Sequence, residues 1–284
     1  MKKYLNISGK LLDTSRPMVM GILNLTPDSF YNPGKFSDAD YALASAEKMI
    51  SEGAHIIDIG GQSTRPGADM ISAEEEWERI KNPLKLLHER FPDTIFSIDT
   101  FYAGVAEKAV AAGAAIINDV SGGSMDSKMF ETVARLKVPY ILMHMKGTPQ
   151  TMQQDPVYEN VVKEVMDFFV ERIQKLTALG VADIIIDPGF GFGKSLEHNY
   201  ELLSRLSVFK MLERPVLVGI SRKSMVNKVI GTKADNALNG TTVLHTVALQ
   251  KGANILRVHD VKEAVEVLKL TDKISNSEFR ISKE

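Results

Sequence analysis

The chain has 284 residues, of which 44% are hydrophobic and 25% are charged, so its composition is that of a globular protein rather than a disordered or fibrous one. Cysteine is absent, which excludes disulfide scaffolds, thiol nucleophiles and cysteine-ligated metal centres. The 34 basic and 36 acidic residues give a net charge of −2, whereas a general nucleic-acid-binding protein would carry a basic excess. We therefore expect no nucleic-acid partner.

Hydrophobic runs and the amino terminus bear on location and domain organisation. No apolar run approaches the roughly 20 residues that span a bilayer, and residues 1–9 contain two lysines but no apolar segment typical of signal peptides. A cytoplasmic protein without membrane association is expected. Because no linker rich in Gly, Pro or Ser interrupts the chain, residues 1–284 are predicted to form a single domain, with the polar residues 275–284 as a flexible tail.

The predicted elements alternate along the chain. Residues 1–14 are predicted to form a small β-hairpin that turns at Ser8-Gly9 and covers the bottom of the fold. Eight short apolar runs, typical of strands buried on both faces, follow at residues 19–24, 56–58, 95–99, 116–118, 140–144, 184–187, 216–221 and 255–259. Amphipathic helical patterns separate or follow them at residues 39–52, 74–90, 102–112, 128–136, 157–179, 196–206, 236–250 and 261–270.

Glycines mark the ends of several of these helices, because Gly113, Gly180 and Gly252 each stand just before the next strand, where helix C-caps occur. Strands that alternate with helices indicate right-handed βαβ units and a parallel sheet. Eight such units most simply close into a (β/α)₈ TIM barrel, with an open doubly wound sheet as the structural alternative.

A polar residue stands at or near the carboxyl end of every predicted strand, the face on which barrels of this type place their active sites. The eight residues are Asn24, Asp58, Asp99, Asn118, His144, Asp187, Ser221 and His259. Each alone could equally be a helix cap or a turn former. Together, the carboxylates and amides indicate a pocket for a donor-rich heterocycle such as an aminopyrimidine.

Two glycine-containing segments follow predicted strands. Residues 60–67 begin with two glycines, which let the backbone approach a ligand, and include Arg65 as a mobile cation; a plain surface turn is the alternative. Residues 187–195 end in Gly193-Lys194-Ser195, which mimics a nucleotide-binding phosphate loop. Pro188 stands where that motif requires glycine, so we reject such a loop and expect a glycine segment that presents Phe192 to a flat ring.

The last two strands carry a cluster of basic residues. Residues 221–224 follow the seventh strand and open a helix, and Arg257 and His259 alternate along the eighth strand, so they point the same way. Barrels often bind phosphate in this region, and we expect an anion site here rather than a buried structural histidine. His144 has no second histidine at metal-ligand spacing, so a structural or pocket-lining role is favoured over metal binding.

These residues give the chain a resemblance to the dihydropteroate synthase family over nearly its full length. The matching stretches are residues 20–30, 60–67, 97–100, 116–119, 142–145, 187–194, 221–224 and 257–260. The resemblance implies a (β/α)₈ barrel, usually a homodimer. It also implies a transferase of folate biosynthesis and sulfonamide target, which joins 4-aminobenzoate to 6-hydroxymethyl-7,8-dihydropterin pyrophosphate and releases pyrophosphate, with Mg²⁺ as cofactor.

The resemblance assigns roles by position. The residues that would hold the pterin are Asp99, Asn118, Asp187 and Lys223. Arg257 would stack on the pterin and, with His259 and Asn24, bind the pyrophosphate; Asn24 would also ligate the magnesium ion. The residues that would border the aminobenzoate are Thr64, Pro66, Phe192, Lys223 and Ser224. Arg65 joins Asn24, Lys223, Arg257 and His259 as a catalytic residue, and Asp58 matches a position near the pterin without a defined role.

Two positions depart from the family pattern. Gln62 stands where many members have Glu, and Tyr31-Asn32-Pro33 replaces a stretch that is commonly Ser-Asp-Gly-Gly-like, which leaves the role of that first loop open. Two other functions compete with the synthase. A pterin-binding methyltransferase that serves a corrinoid protein would share Asp99, Asn118 and Asp187 but would not need the cluster of basic residues. A catalytically silent paralogue would have lost some of those residues.

Overall fold

The computed structural model describes residues 4–7, 9–26, 38–63, 67–148, 150, 152 and 156–281. Within these residues the strands are β1 (Tyr4–Ile7), β2 (Lys10–Asp13), β3 (Met18–Asn24), β4 (Ile56–Gly60), β5 (Ile95–Asp99), β6 (Ile116–Asp119), β7 (Tyr140–Met143), β8 (Ile184–Asp187), β9 (Leu217–Val218) and β10 (Ile255–Val258). The described α-helices are α1 (Asp38–Ser51), α2 (Ala73–Arg90), α3 (Ala103–Ala111), α4 (Met129–Leu136), α5 (Val161–Ala178), α6 (Leu196–Ser204), α7 (Ser224–Ile230), α8 (Leu238–Gln250) and α9 (Val261–Ile281).

Eight of the described strands form one parallel sheet in the order β8-β7-β6-β5-β4-β3-β10-β9. A parallel bridge between Ile186 and Val216 connects β8 to the segment that leads into β9 and so closes the sheet. The helices surround this barrel, and a buried apolar cluster fills the space between strands and helices. The predicted (β/α)₈ TIM barrel is confirmed, and the open doubly wound sheet is excluded.

The predicted amino-terminal hairpin is also confirmed, because β1 and β2 pair antiparallel with Tyr4 opposite Asp13 and Ile7 opposite Lys10. Leu5 and Ile7 are buried and belong to the apolar cluster that fills the amino-terminal end of the barrel, together with the first residues of several strands. The hairpin therefore closes the bottom of the barrel, and it leaves the carboxyl ends of the strands open at the opposite end.

The helix bounds follow local capping. Asn160 accepts a hydrogen bond from the Lys163 backbone N–H, so α5 begins at Val161 rather than at the predicted residue 157. Gly113, Gly180 and Gly252 have φ angles of 108°, 84° and 101°, as expected of glycines that end helices. At the carboxyl end, α9 continues to Ile281, beyond the predicted end at residue 270.

The described chain also contains two 3₁₀ helices. Leu206–Leu212 and Ala234–Asn236 form 3₁₀ helices. No helix among the described residues is both long and apolar enough to cross a membrane. The predicted flexibility of residues 275–284 stays a prediction.

A pair of Leu→Ala substitutions in the hairpin tests its role as a plug. Leu5 is 0% exposed and Leu11 is 72% exposed. Leu5→Ala should lower the free energy of unfolding by about 2–5 kcal/mol, because it leaves a cavity in the barrel floor. Leu11→Ala should change it by less than about 0.5 kcal/mol. Denaturant unfolding of both variants provides the comparison, and equal losses would show that the hairpin does not plug the barrel.

Candidate active site

A cavity of about 800 Å³ opens at the carboxyl ends of the barrel strands. Its wall is formed by residues at the ends of β3 and β10 and by residues in the segments that follow β4, β8 and β9. Among the residues that line it are Asn24, Thr26, Gln62, Ser63, Phe192, Gly219, Ser221, Arg222, Lys223, Ser224, Arg257 and His259. The cavity therefore lies on the face that the pattern of polar strand ends predicts.

The Arg257 guanidinium is held between two carboxylates at the base of this cavity. Its Nε donates to Asp58 Oδ2 over 2.6 Å, and its Nη2 donates to Asp99 Oδ2 over 2.7 Å. Only 18% of the Arg257 side chain is exposed, so both ion pairs lie in a medium that screens charge weakly. Two charge-assisted hydrogen bonds in different directions fix the plane of the guanidinium.

Asp58 lies deeper than the other polar residues because of the strand register. Asn24 on β3 is opposite Gly60, Gly60 is opposite Asp99, and Asp99 is opposite Asn118, so these positions form one level across four strands. Asp58 is two residues below this level and is completely buried. Its Oδ2 accepts hydrogen bonds from Arg257 and, over 2.8 Å, from Asn118 Nδ2. Asp58 is thus the support that orients two predicted ligand-binding side chains.

Burial shifts the pKa values of three ionisable side chains of the site. Burial raises the pKa of Asp99 to about 7, although the charge of Arg257 opposes the rise. Burial raises the pKa of Asp187 as well, with Lys223 opposing it. The pKa of Lys223 falls to about 8, chiefly through desolvation. A ligand that donates hydrogen bonds to the two carboxylates would favour their charged forms, so the site is suited to a heterocycle rich in N–H groups.

Lys223 and Phe192 form one side of the cavity. The Lys223 Nζ donates to the Phe190 carbonyl over 2.6 Å and lies 4.6 Å from the centroid of the Phe192 ring. Gly219 lines the cavity beside them, where a Cβ would meet the Arg257 Cβ at 3.8 Å and the Lys223 Nζ at 3.9 Å, both ordinary van der Waals contacts. The Phe192 ring, the Lys223 ammonium and Gly219 thus border the same part of the cavity.

The glycine segment after β8 is held by a buried lysine. Lys194 Nζ donates to the carbonyls of Gly189 and Phe192 over 2.9 and 3.0 Å and lies 2.9 Å from Nδ1 of His144. Gly189 has a φ of 69°, and a Cβ there would lie 1.9 Å from the His144 carbonyl oxygen, so only glycine fits. His144 is buried and structural, as favoured from the sequence, and Lys194 positions Phe192 rather than a phosphate.

His259 is oriented by Ser221. The Ser221 Oγ accepts from the backbone N–H of His259 over 3.2 Å and lies 3.1 Å from its ring Nδ1. The Ser221 hydroxyl can donate to Nδ1 or accept from it; we infer that it donates, which places the ring proton on Nε2. Burial, with the charge of Arg257 adding to it, lowers the pKa of His259 to about 4. At neutral pH His259 is an uncharged hydrogen-bond donor.

Arg222 supports the neighbouring wall. Its Nε and Nη2 donate to both carboxylate oxygens of Asp260, over 2.8 and 2.7 Å, and its Nη1 donates to the carbonyls of Ala234 and Asp235. The residue has a φ of 57°, unusual outside glycine. The pairing joins the segment before α7, which carries Lys223, to the segment after β10, which carries His259.

The structure brings most of the predicted site residues together. Asn24, Asp99, Asn118, Asp187, Phe192, Lys223, Ser224, Arg257 and His259 all lie in or directly beneath the cavity. Thr64, Arg65 and Pro66 lie outside the described residues, as does the Tyr31-Asn32-Pro33 stretch. Sequence reasoning missed the supporting roles of Asp58, Lys194, Ser221 and Arg222. Position at a strand end marked Asp58 and Ser221, but nothing in the sequence indicated their partners.

Comparison with known proteins identifies the class. Residues 20–259 match the family described as pterin binding enzyme. The dihydropteroate synthase of Haemophilus influenzae is 44% identical over 279 residues, which cover 98% of this chain and all of that protein. The crystal structure of the Yersinia pestis dihydropteroate synthase with a sulfonamide drug complex has a TM-score of 0.91 at 42% identity, covering 96% of this chain and 99% of the other.

A second structure extends this likeness to a ligand complex. The Xanthomonas albilineans dihydropteroate synthase with 4-aminobenzoic acid has a TM-score of 0.91 at 40% identity, covering 97% of this chain and 99% of the other. The chain therefore belongs to the pterin-binding enzymes with a (β/α)₈ barrel and, within them, to the dihydropteroate synthase family. Members of this family are transferases of folate synthesis.

Removal of the Ser221 hydroxyl tests the proposed orientation of His259. Ser221→Ala should allow both neutral tautomers of the ring and should weaken pyrophosphate binding about fivefold, the effect of one net hydrogen bond. Nitrogen NMR of labelled His259 would report the tautomer, and calorimetry the affinity. Ser204→Ala, which removes an exposed hydroxyl bonded to the Glu201 carbonyl, is the control. An Nε2–H tautomer that persists in Ser221→Ala would contradict the assignment.

Proposed function

We propose that this barrel mouth condenses 6-hydroxymethyl-7,8-dihydropterin pyrophosphate with 4-aminobenzoate to give 7,8-dihydropteroate and pyrophosphate. One observation carries the proposal: the Arg257 guanidinium, held by Asp58 and Asp99, lies in the same cavity as His259. Arg257, the cation that would bind the leaving pyrophosphate, thus lies beside Asp99, the carboxylate that would accept hydrogen bonds from the ring.

The pterin is bound by its polar edge. Asp187 and Asp99 accept hydrogen bonds from ring N–H groups, and the amide of Asn118, oriented by Asp58, both donates and accepts. Lys223 contributes a donor on the side of Asp187, whose charge partly offsets the desolvation of the ammonium. The flat guanidinium of Arg257 stacks on the ring, and its two hydrogen bonds keep it in the required plane.

The pyrophosphate is bound by Arg257, His259 and Asn24. Arg257 supplies charge, and His259 supplies a neutral Nε2–H donor that Ser221 orients. Asn24 lines the same cavity from the carboxyl end of β3.

A magnesium ion fits this arrangement with only one ligand from the described protein residues. No group of three or more His, Asp or Glu side chains within the described ranges is arranged to hold a metal. Magnesium typically retains water and is shared with substrate phosphates, so the amide oxygen of Asn24 with phosphate oxygens and water suits it. The bound ion would neutralise charge on the phosphate oxygens.

Condensation then proceeds by substitution at the pterin methylene carbon. The bond from this carbon to the pyrophosphate oxygen breaks, and the electron pair leaves with the pyrophosphate, whose charge Arg257 and His259 stabilise. The developing cation is delocalised into the pterin ring held by Asp99 and Asp187. The amine nitrogen of aminobenzoate forms the new bond and releases a proton to water or pyrophosphate, so no strong protein base is required.

The aminobenzoate lies outside the pterin, against Phe192, Lys223 and Ser224. Thr64, Arg65 and Pro66 are proposed to complete this subsite and to exclude water from the cation. Sulfonamides, which resemble aminobenzoate, would occupy the same subsite; the Yersinia pestis relative is described in complex with such a drug.

We also propose that the chain forms a homodimer and acts in the cytoplasm. The neighbouring helices α7, α8 and α9 carry exposed apolar side chains, which are Val229, Ile230, Val243, Leu270 and Ile274. Exposed apolar side chains on helices that pack against one another support self-association. The charged pyrophosphate substrate does not cross a bilayer unaided, which supports action in the compartment where it is made.

The competing functions make different use of the same barrel. A pterin-binding methyltransferase needs no anion site beside the pterin carboxylates. Here, however, Arg257 is held by Asp99 and His259 is bonded to Ser221. A catalytically silent paralogue has no reason to retain those partners. Both observations favour the synthase.

A coupled assay tests the function. The protein with aminobenzoate, the pterin pyrophosphate and magnesium should release pyrophosphate and form dihydropteroate. Asp187→Ala should lose pterin affinity by about 1.5–3 kcal/mol, the value of a charge-assisted hydrogen bond. Asp167→Ala, at an exposed ion pair on α5, should retain full affinity. Methyl transfer to a corrinoid protein without condensation would instead establish the methyltransferase.

Substitution of Arg257 distinguishes its contribution to pyrophosphate binding from its contribution to pterin binding. Arg257→Ala should weaken binding of pyrophosphate and of the pterin pyrophosphate by at least about tenfold, because both lose a charge-assisted contact. The free 6-hydroxymethyl pterin should lose less affinity. Calorimetry with the three ligands would measure this order, and equal losses would show that Arg257 is only a stacking platform.

A further inference from the structure

The backbone of the glycine segment after β8 is bonded by the side-chain amide of Asn199, which lies on α6. Its Oδ1 accepts a hydrogen bond from the Gly191 backbone N–H over 2.7 Å. Its Nδ2 donates to the Ser195 carbonyl over 2.6 Å and lies 3.4 Å from the Lys194 carbonyl oxygen. Because the Gly191 N–H can only donate, the atom that faces it is the amide oxygen. The amide thus joins the start of α6 to the middle of the glycine segment.

The backbone that Asn199 holds is part of the cavity wall. Gly191 and Phe192 both line the candidate active site, and Gly191 has a φ of 83°, in the left-handed region. Asn199 is only 3% exposed, so water has little access to replace the hydrogen bond to Gly191 if the amide is removed. Loss of the amide oxygen would leave the Gly191 N–H without this acceptor in a buried position, which favours a shift of the backbone.

Two other side chains hold the ends of the segment. Lys194 bonds the two carbonyls described above, and the Tyr158 hydroxyl donates to the Gly193 carbonyl over 2.8 Å. Both of these side chains donate to carbonyl oxygens, whereas Asn199 accepts from an N–H. Neither of them therefore replaces the acceptor that Asn199 offers to Gly191.

The two neighbours of Gly191 take part in the contacts that shape this side of the cavity. The Phe190 carbonyl accepts from Lys223 Nζ, and the Phe192 ring lies beside the same ammonium group. A Cβ on Gly191 would lie 3.4 Å from Lys223 Cδ, so the backbone itself packs against the lysine side chain. A shift at Gly191 would consequently alter both the Phe192 ring and the Lys223 side chain.

From these contacts we propose that Asn199 is a positioning residue for the second substrate. Its amide oxygen fixes Gly191, and Gly191 fixes the arrangement of Phe192 and Lys223 against which aminobenzoate binds. The inference rests on the function proposed above. Asp99 and Asn118, which would bind the pterin, lie on β5 and β6, outside the glycine segment, so pterin binding should depend less on Asn199.

Substitutions of Asn199 separate the hydrogen-bonding role from a space-filling one. Asn199→Leu removes the acceptor at similar volume and should raise the KM for aminobenzoate about tenfold or more, whereas the KM for the pterin pyrophosphate should change less than about threefold. Asn199→Ala should show the same difference between the two substrates. Asn199→Asp keeps an oxygen that can face Gly191, so its aminobenzoate KM should stay within about threefold of the original value. Steady-state kinetics with each substrate varied in turn provides these values.

Asn254→Leu is the matched control, since it removes a buried amide with the same pattern of contacts at the opposite end of the barrel. Asn254 is 5% exposed, its Oδ1 accepts from the Val216 backbone N–H over 2.9 Å, and its Nδ2 donates to the Thr14 carbonyl over 2.9 Å. This variant should unfold at a lower temperature, because buried polar groups lose their partners, but it should keep both KM values.

Condensation by the unsubstituted enzyme shows first that the proposed function holds. With that activity present, an unchanged aminobenzoate KM in Asn199→Leu or Asn199→Ala would overturn the positioning role. An equal rise in both KM values would also overturn it, since that would indicate a general disturbance of the barrel mouth. So would a rise of the aminobenzoate KM in Asn254→Leu that matches the rise in Asn199→Leu, because lost stability would then explain both.

Discussion

The site depends on one guanidinium held between two buried carboxylates. Arg257 extends from β10, whose register places it level with Met20, and its long side chain reaches up to Asp58 and Asp99. Burying an arginine without partners would be prohibitively costly, and burying two neighbouring carboxylates without a cation would be equally so. The three groups therefore require one another, and their mutual requirement fixes the orientation of the ligand-binding residues above them.

This constraint also explains why the pocket is prepared for its ligands. Asp99 and Asp187 have raised pKa values and Lys223 and His259 have lowered ones, in each case chiefly because burial disfavours the charged form. A pterin would supply N–H donors to the carboxylates, and a pyrophosphate would supply negative charge to Arg257 and a hydrogen-bond acceptor to His259. Each half of the substrate thus compensates a desolvation cost already present in the free protein, so binding and alignment for reaction use the same contacts.

Much of this could be predicted from the sequence because it depends on local patterns. Apolar runs, glycine-terminated helices and polar strand ends predict the barrel and the face on which the cavity lies, whereas the roles of single residues follow from the family resemblance. Contacts between distant segments could not be predicted in the same way. Lys194 resembles part of a phosphate loop but bonds carbonyls of its own segment beside His144. Gln62 departs from the family pattern, and no sequence pattern indicates that its amide bonds the backbone of Ser63, Asp69 and Ile71.

Asp58 acts on ligands through Arg257 rather than by contacting them itself. A double-mutant cycle of Asp58→Asn and Arg257→Lys, with pterin pyrophosphate affinity measured by calorimetry and folding checked by thermal unfolding, tests it directly. The two substitutions should be strongly non-additive, with a coupling free energy of about 1.5 kcal/mol or more. Losses that add within about 0.3 kcal/mol would show that the two residues act independently and would contradict the account.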